Sequence, residues 1–128
     1  AILLEHGELK ITAPLSIRGD GPEFLTIDAQ RSSRIFNITA ETGDFTIAGM
    51  TLTGGQTTGN NSIDNDKGFN GGAIRSLTSG NLALEDVLIH DNRTMGSLAS
   101  GGGVFTVGNL ILTDSTISGN SASGSCRV

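Results

Sequence analysis

A short phrase recurs four times along the chain: LTIDAQ at 25–30, MTLTGG at 50–55, VLIHDN at 87–92 and STISGN at 115–120. The copies begin 25, 37 and 28 residues apart (50−25, 87−50, 115−87). Self-similarity at such a period marks a repeat architecture, in which one small unit stacks on the next to bury a shared core. It also narrows the search for function, because chemistry in such folds sits on an outer face or in inserted loops.

Two further apolar alternations accompany each copy. The sets are 9–11, 15–17 and 25–27; 35–38, 45–47 and 50–52; 74–77, 82–84 and 87–89; 104–107, 110–112 and 115–117. Each alternates with period two, and Gly, Asn, Asp or Ser separates it from the next. This pattern predicts an all-β fold: a parallel β-helix, or solenoid, of about four rungs of three short strands. Inward residues would then stack in columns, one of Leu25, Met50, Val87 and Ser115 and a neighbour of Ile27, Leu52, Ile89 and Ile117. At about 4.8 Å per rung the stack would be roughly 19 Å long. An antiparallel sandwich also has short strands and turns, but it would not repeat one phrase in one register. Residues 1–128 are expected to form a single β-helix domain. The pattern is entered and left in mid-phrase, so a fragment of a longer repeat protein is expected. Its open sheet ends make end-to-end self-association an expected property.

Composition supports this reading. Glycine numbers 19 of 128 residues and proline two, while the aromatics are five Phe with no Trp or Tyr. Frequent tight turns and small inward residues suit many short strands. The net charge of −5 with eight scattered Lys and Arg argues against nucleic acid, which demands a basic surface. No run of eighteen apolar residues offers a membrane-spanning helix. Cys126 is the only cysteine and makes no disulfide framework.

At this point the residues carry a resemblance. Gly71-Gly72-Ala73-Ile74 followed by Ile89-x-x-Asn92 resembles the GGAI…FxxN repeat of bacterial polymorphic outer-membrane proteins, and Gly102-Gly103-Val104 with Ile117-x-x-Asn120 repeats it, with Ile in place of Phe both times. The run from Leu25 to Gly55 is similar to bacterial right-handed β-helix proteins of the pectin-lyase-like superfamily. The resemblance extends from Gly7 to about Ser123. It implies a right-handed parallel β-helix, extracellular or displayed on a bacterial cell surface. It further implies either an adhesin or a polysaccharide lyase or glycoside hydrolase, and fold does not decide between them. Polygalacturonase-like members show N-T-D, D-D and G-H-G on successive rungs, and this chain has none of the three. The nearest approach to a lyase site is Glu85-Asp86 beside Arg75; adjacent strand residues face opposite ways, so the two carboxylates are not expected to act together. The leading expectation is therefore a non-catalytic structural or adhesive module, partnered by a polysaccharide or a cell-surface glycan.

Three places invite a ligand. On the first strand, Phe36, Arg75 and Phe105 stand in equivalent positions if 35–38, 74–77 and 104–107 are aligned. Facing outward they form an aromatic–guanidinium–aromatic ladder suited to the C–H faces and carboxylates of acidic sugars. The I-x-x-I spacing leaves parity open, and the alternative is that both Phe face inward. An inward Arg75 would be a buried unpaired charge, which favours the outward arrangement. Second, insertions at 57–70 and 94–100 fall at one corner, where repeat proteins collect binding loops. Within the longer one Asn60, Ser62, Asp64 and Asp66 alternate before Gly68. Oxygens at every second position resemble a calcium loop, with Asp64 and Asp66 as the metal candidates. The D-x-D-x-D-G spacing is not met and no Glu closes the site, so a solvated polar loop without cofactor is the default. Third, Thr26, Thr51 and Thr116 would form an outward column broken by Leu88.

Other features have simpler explanations. Asn92 and Asn120, with Gln30 in the matching place, suit left-handed turn geometry and hydrogen bonding to stacked neighbours. Arg18-Gly19-Asp20 fits a turn between strands without invoking a receptor. The pair His90-Asp91 needs a neighbouring nucleophile before it can be catalytic.

Overall fold

The computed structural model describes residues 1–59, 68–97 and 99–123. Every element among them is a strand. In chain order these are β1 (Ile2–Leu3), β2 (Leu9–Ile11), β3 (Ser16–Arg18), β4 (Thr26–Asp28), β5 (Phe36–Ile38), β6 (Phe45–Thr53) and β7 (Gln56–Thr58). There follow β8 (Ile74–Ser76), β9 (Asn81–His90), β10 (Arg93–Met95), β11 (Val104–Thr106), β12 (Asn109–Thr113), β13 (Thr116–Ser118) and β14 (Ser121–Ser123). They form three sheets. A four-stranded sheet runs β2-β5-β8-β11, a three-stranded one β7-β10-β14, and a seven-stranded one β1-β4-β6-β9-β12 with β3 also on β6 and β13 also on β9. All pairings are parallel. The chain is all-β with parallel sheets.

The four copies of the repeated phrase lie side by side in the largest sheet. Ile27 pairs with Leu52, Leu52 with Ile89 and Ile89 with Ile117, the column expected from the spacing. Met50 pairs with Val87, and the Ser115 hydroxyl accepts the Val87 N–H at 3.0 Å. Ile27, Leu52 and Ile89 are buried with Phe45, Ile47, Leu82 and Leu84 of the same sheet, with Phe36, Ile38 and Ile74 of the four-stranded one, and with Ile35 just before β5.

Strand lengths differ from expectation. The second and third segments of a copy are not separate strands; they run together as the nine residues of β6 and the ten of β9. The joint is a left-handed residue, Gly49 at φ 68° and Asp86 at φ 53°, and Asp114 repeats it at φ 49°. One such residue shifts the period-two phase, so Leu84 and Val87 both face the core while Glu85 and Asp86 both stay outside it. The expectation that adjacent Glu85 and Asp86 face opposite sides is corrected here, because strict alternation holds only along uninterrupted extended backbone. Glu85 is moreover engaged by Arg18 at 3.0 Å on the largest sheet, while Arg75 belongs to the four-stranded one.

A second corner follows each copy. Its left-handed residues are Gly54, Asp91 and Gly119 at φ 70°, 57° and 64°. Of the two roles expected at the place one residue later, hydrogen bonding to the stacked neighbour is made by Asn92 and Asn120, while left-handed backbone is adopted there by Gln30, at φ 55°. Asn92 is 1% exposed; its Oδ1 accepts the Gly55 N–H at 2.8 Å, and its Nδ2 donates to the Leu52 and His90 carbonyls at 3.1 and 2.9 Å. Asn120 repeats the bond, its Oδ1 accepting the Asn92 N–H at 2.9 Å. Gln30 has no such partner above it, since Gly55 lacks a side chain, and the Gln30 N–H turns to Asp28 Oδ1 of its own turn at 2.8 Å. Removing the Asn92 amide strands a buried donor and two carbonyls. Asn92→Ala is therefore expected to lower stability by about 2 kcal/mol, read as a reduced urea midpoint with an unchanged slope. A midpoint equal to that of the parent would show that water serves this corner equally well.

The glycines of the GGAI motif have a steric cause. A Cβ on Gly72 would collide with the Gly102 carbonyl and the Arg93 backbone, so only glycine allows these segments to approach.

Candidate functional site

Outward residues of the four-stranded sheet form one column, Lys10–Asn37–Arg75–Phe105, each paired with the next. This corrects the expected ladder. Phe36 is not the counterpart of Arg75; it pairs with Ile74 and is 1% exposed, in the core. The I-x-x-I alignment is one residue out because 35–38 begins one residue before its strand, whereas 74–77 begins with its strand. With the phase restored, Ile38, Ser76 and Thr106 form the second inward column, and the outward place above Lys10 falls to Asn37. Arg75 and Phe105 remain partners on the outer side, both half-buried.

A polar network fixes this face from below. Arg34, just before β5, is 3% exposed. Its Nη1 donates to Glu8 Oε1 at 3.0 Å, its Nη2 to the Gly68 carbonyl at 2.7 Å, and its Nε to the Asn70 and Gly71 carbonyls at 3.1 and 2.9 Å. Glu8 Oε2 accepts from Asn37 Nδ2 at 2.5 Å, and Asn37 Oδ1 accepts from Arg75 Nη1 at 3.2 Å. The Asn37 amide is thereby held in one orientation, its donor end on a carboxylate and its acceptor end on a guanidinium. Burial lowers the Arg34 pKa from the usual arginine value, Glu8 pulls it back up, and the charge of Arg75 adds to the lowering.

Charge is not balanced here. Glu8 makes an ion pair with Arg34, and among the described residues no carboxylate pairs with Arg75 or Lys10. The Nε of Arg75 is buried without a partner. Two cations thus share an outward column with an oriented amide between them and an aromatic ring at one end. Such a surface has the chemistry for charge-assisted hydrogen bonds to an anion and for stacking of an apolar face on the ring. Sequence reasoning missed Arg34, Glu8 and Asn37. The signal was present in Arg34, a cation immediately before an apolar strand, but nothing local revealed that it was buried.

The insertion corner adjoins this face. The Gly71 N–H donates to the Ser100 carbonyl, the Ser100 N–H to Asn70 Oδ1 and the Gly59 N–H to the Met95 carbonyl, all near 2.9 Å. The described ends of the insertions at 57–70 and 94–100 therefore meet, and Arg34 ties the base of the longer one to the column. Asp64 and Asp66, with Asn60 and Ser62, lie outside the described residues. No cluster of three His, Cys, Asp or Glu that could hold a metal occurs among the described residues.

The remaining candidates do not assemble. Thr26, Thr51, Leu88 and Thr116 do share a column, yet Thr51 is covered, its hydroxyl donating to the Pro22 carbonyl at 2.8 Å. His90 Nδ1 lies 2.6 Å from Asp91 Oδ2. Thr53 and Ser118 flank His90 in the sheet, but no hydrogen bond joins either hydroxyl to the ring. Arg18 of the Arg-Gly-Asp tripeptide is held by Glu85, and the Gly19 backbone packs directly on Gly49. No family model, curated protein or solved structure matches the chain.

Proposed function

We propose that the chain is a right-handed parallel β-helix module, non-catalytic, that serves a structural or adhesive role outside the bacterial cell or on its surface and holds an acidic glycan on the Lys10–Asn37–Arg75–Phe105 face. Parallel pairing between successive copies of one phrase supports the solenoid reading. The observation that carries the binding reading is Arg75: a guanidinium without a carboxylate partner among the described residues, aligned by Asn37 and neighboured by Phe105. A sugar carboxylate supplies the missing charge, and the C–H face of the ring covers the aromatic. The carboxylates Glu85 and Asp86 stand on a different sheet from Arg75, and the carboxylate beside the face, Glu8, is engaged by Arg34 and Asn37.

The test is calorimetric titration with acidic and neutral polysaccharides, with and without calcium, while ultraviolet absorbance follows unsaturated sugar ends. Binding of the acidic members alone is expected, without product. Arg75→Ala should weaken it about tenfold or more, while Arg18→Ala on the other sheet should leave it unchanged. Equal affinity of Arg75→Ala defeats the assignment of the face. Accumulating unsaturated product would replace the module by a polysaccharide lyase.

A further inference from the structure

Lys10 and Asn37 are direct partners in the parallel ladder of β2 and β5, on backbones about 4.8 Å apart. Lys10 is exposed, and its amine enters no ion pair among the described residues. Its flexible four-carbon stem can fold over the neighbouring strand. Asn37 is 7% exposed, and both ends of its amide are held. Nδ2 donates to Glu8 Oε2 at 2.5 Å, and Oδ1 accepts from Arg75 Nη1 at 3.2 Å. Glu8 stands two residues before Lys10 and reaches the same outward side, as positions two apart in extended chain do. The Asn37 carboxamide is thus surrounded by the parts of an acyl transfer. An amine lies within reach of its carbonyl carbon, a guanidinium sits on its oxygen, and a carboxylate sits on its nitrogen.

We infer that Lys10 and Asn37 join in an intramolecular isopeptide bond, which the folded chain forms by itself. The neutral Nζ of Lys10 attacks Asn37 Cγ; the new C–N bond forms as the carbonyl electron pair moves onto Oδ1. Arg75 stabilises that oxyanion. Glu8 takes a proton from the newly bonded nitrogen and passes it to Nδ2. The Cγ–Nδ2 bond then breaks and its nitrogen leaves as ammonia. Nothing is oxidised or reduced, and Glu8 ends as the carboxylate it began. Register pairing supplies the proximity that lets an amine attack so unreactive a carbonyl. The bond would tie strands 27 residues apart (37−10), so β2 could not be pulled from β5 without breaking a covalent link. Lys10 gives up its charge, whereas Arg75, on which the glycan reading rests, keeps its own.

The test is intact mass spectrometry of the whole chain, followed over time in neutral and mildly alkaline buffer. A mass short of the sequence by one ammonia is expected, accumulating faster in the alkaline buffer because the attacking amine must be neutral. Trypsin should then fail to cut after Lys10 and release residues 1–18 joined to 35–67. Chain kept unfolded in urea, and the variants Lys10→Arg and Asn37→Ala, should hold full mass; circular dichroism checks that both variants fold. Glu8→Gln, which still accepts a hydrogen bond from Arg34, should slow the loss about tenfold or more. Full mass in the folded wild-type chain after alkaline incubation overturns the inference. So does an ammonia loss that persists in Lys10→Arg, or one that maps to Asn70-Gly71, where closure of a side-chain ring on the backbone also expels ammonia.

Discussion

A chain carrying Ile89→Asp is expected to have no cooperative fold. Ile89 is fully buried and stands in mid-column, with Leu52 on one side and Ile117 on the other. Among the described residues the core around that column is apolar, so the carboxylate would be buried unpaired. The loss of apolar contact and the desolvation of charge together exceed about 4 kcal/mol, against a total stability of order 5–15 kcal/mol for a domain of ordinary size. Heating followed by circular dichroism should show no transition, or the protein should aggregate. The control is one residue away. Leu88 lies in the outer column between Thr51 and Thr116, and Leu88→Thr should change stability by less than about 1 kcal/mol. A soluble Ile89→Asp variant with a sharp transition would refute the register of the largest sheet.

The second large effect belongs to Arg34. Arg34→Ala removes one side chain and disconnects five groups: Glu8, three carbonyls at 68, 70 and 71, and through Glu8 the orientation of Asn37. Glu8 is partly exposed and recovers water, whereas the buried carbonyls do not. A loss of about 3 kcal/mol is expected, measured by urea unfolding. Arg34→Lys should restore little, because an ammonium cannot span carbonyls and carboxylate with a planar fork. Full rescue by lysine would mean that charge alone, and not the fork, holds the corner. Hydrogen exchange should quicken first at Gly71 and Gly72, whose N–H groups bond the Ser100 and Gly101 carbonyls.

The third segment of each copy was legible because its outer and inner residues alternate without interruption, so Ile27, Leu52, Ile89 and Ile117 were aligned from spacing alone. The first segment was not. Ile35, Phe36 and Ile38 are all buried, and a run of apolar residues gives no parity; hydrogen bonds to the neighbouring strands, invisible in the sequence, set Phe36 inward. The left-handed joints at Asp86 and Asp114 hid behind residue type, since both read as ordinary polar strand positions. The three-stranded sheet was missed altogether. Gln-Thr-Thr, Arg-Thr-Met and Ser-Ala-Ser lack the apolar alternation by which a strand is recognised, and they are strands because their neighbours place them edge to edge. Half of the candidate face was legible: Arg75 and Phe105 from the repeat, but not Asn37, Glu8 or Arg34, whose meeting depends on tertiary contacts.

The parallel pairing has a kinetic consequence. The closest ladder joins Ile2 to Ile27 and the widest joins Phe36 to Ile74, separations of 25 and 38 residues (27−2, 74−36). Among the described residues no hairpin nucleates structure locally, and each pairing joins strands synthesised well apart. The Gly55 N–H, for example, meets its acceptor only when Asn92 has been made. Such a chain has high contact order and folds slowly, with its newest edge unpaired at each stage of synthesis. The asparagine bonds run one way along the chain: the second copy is locked by the third, and the third by the fourth.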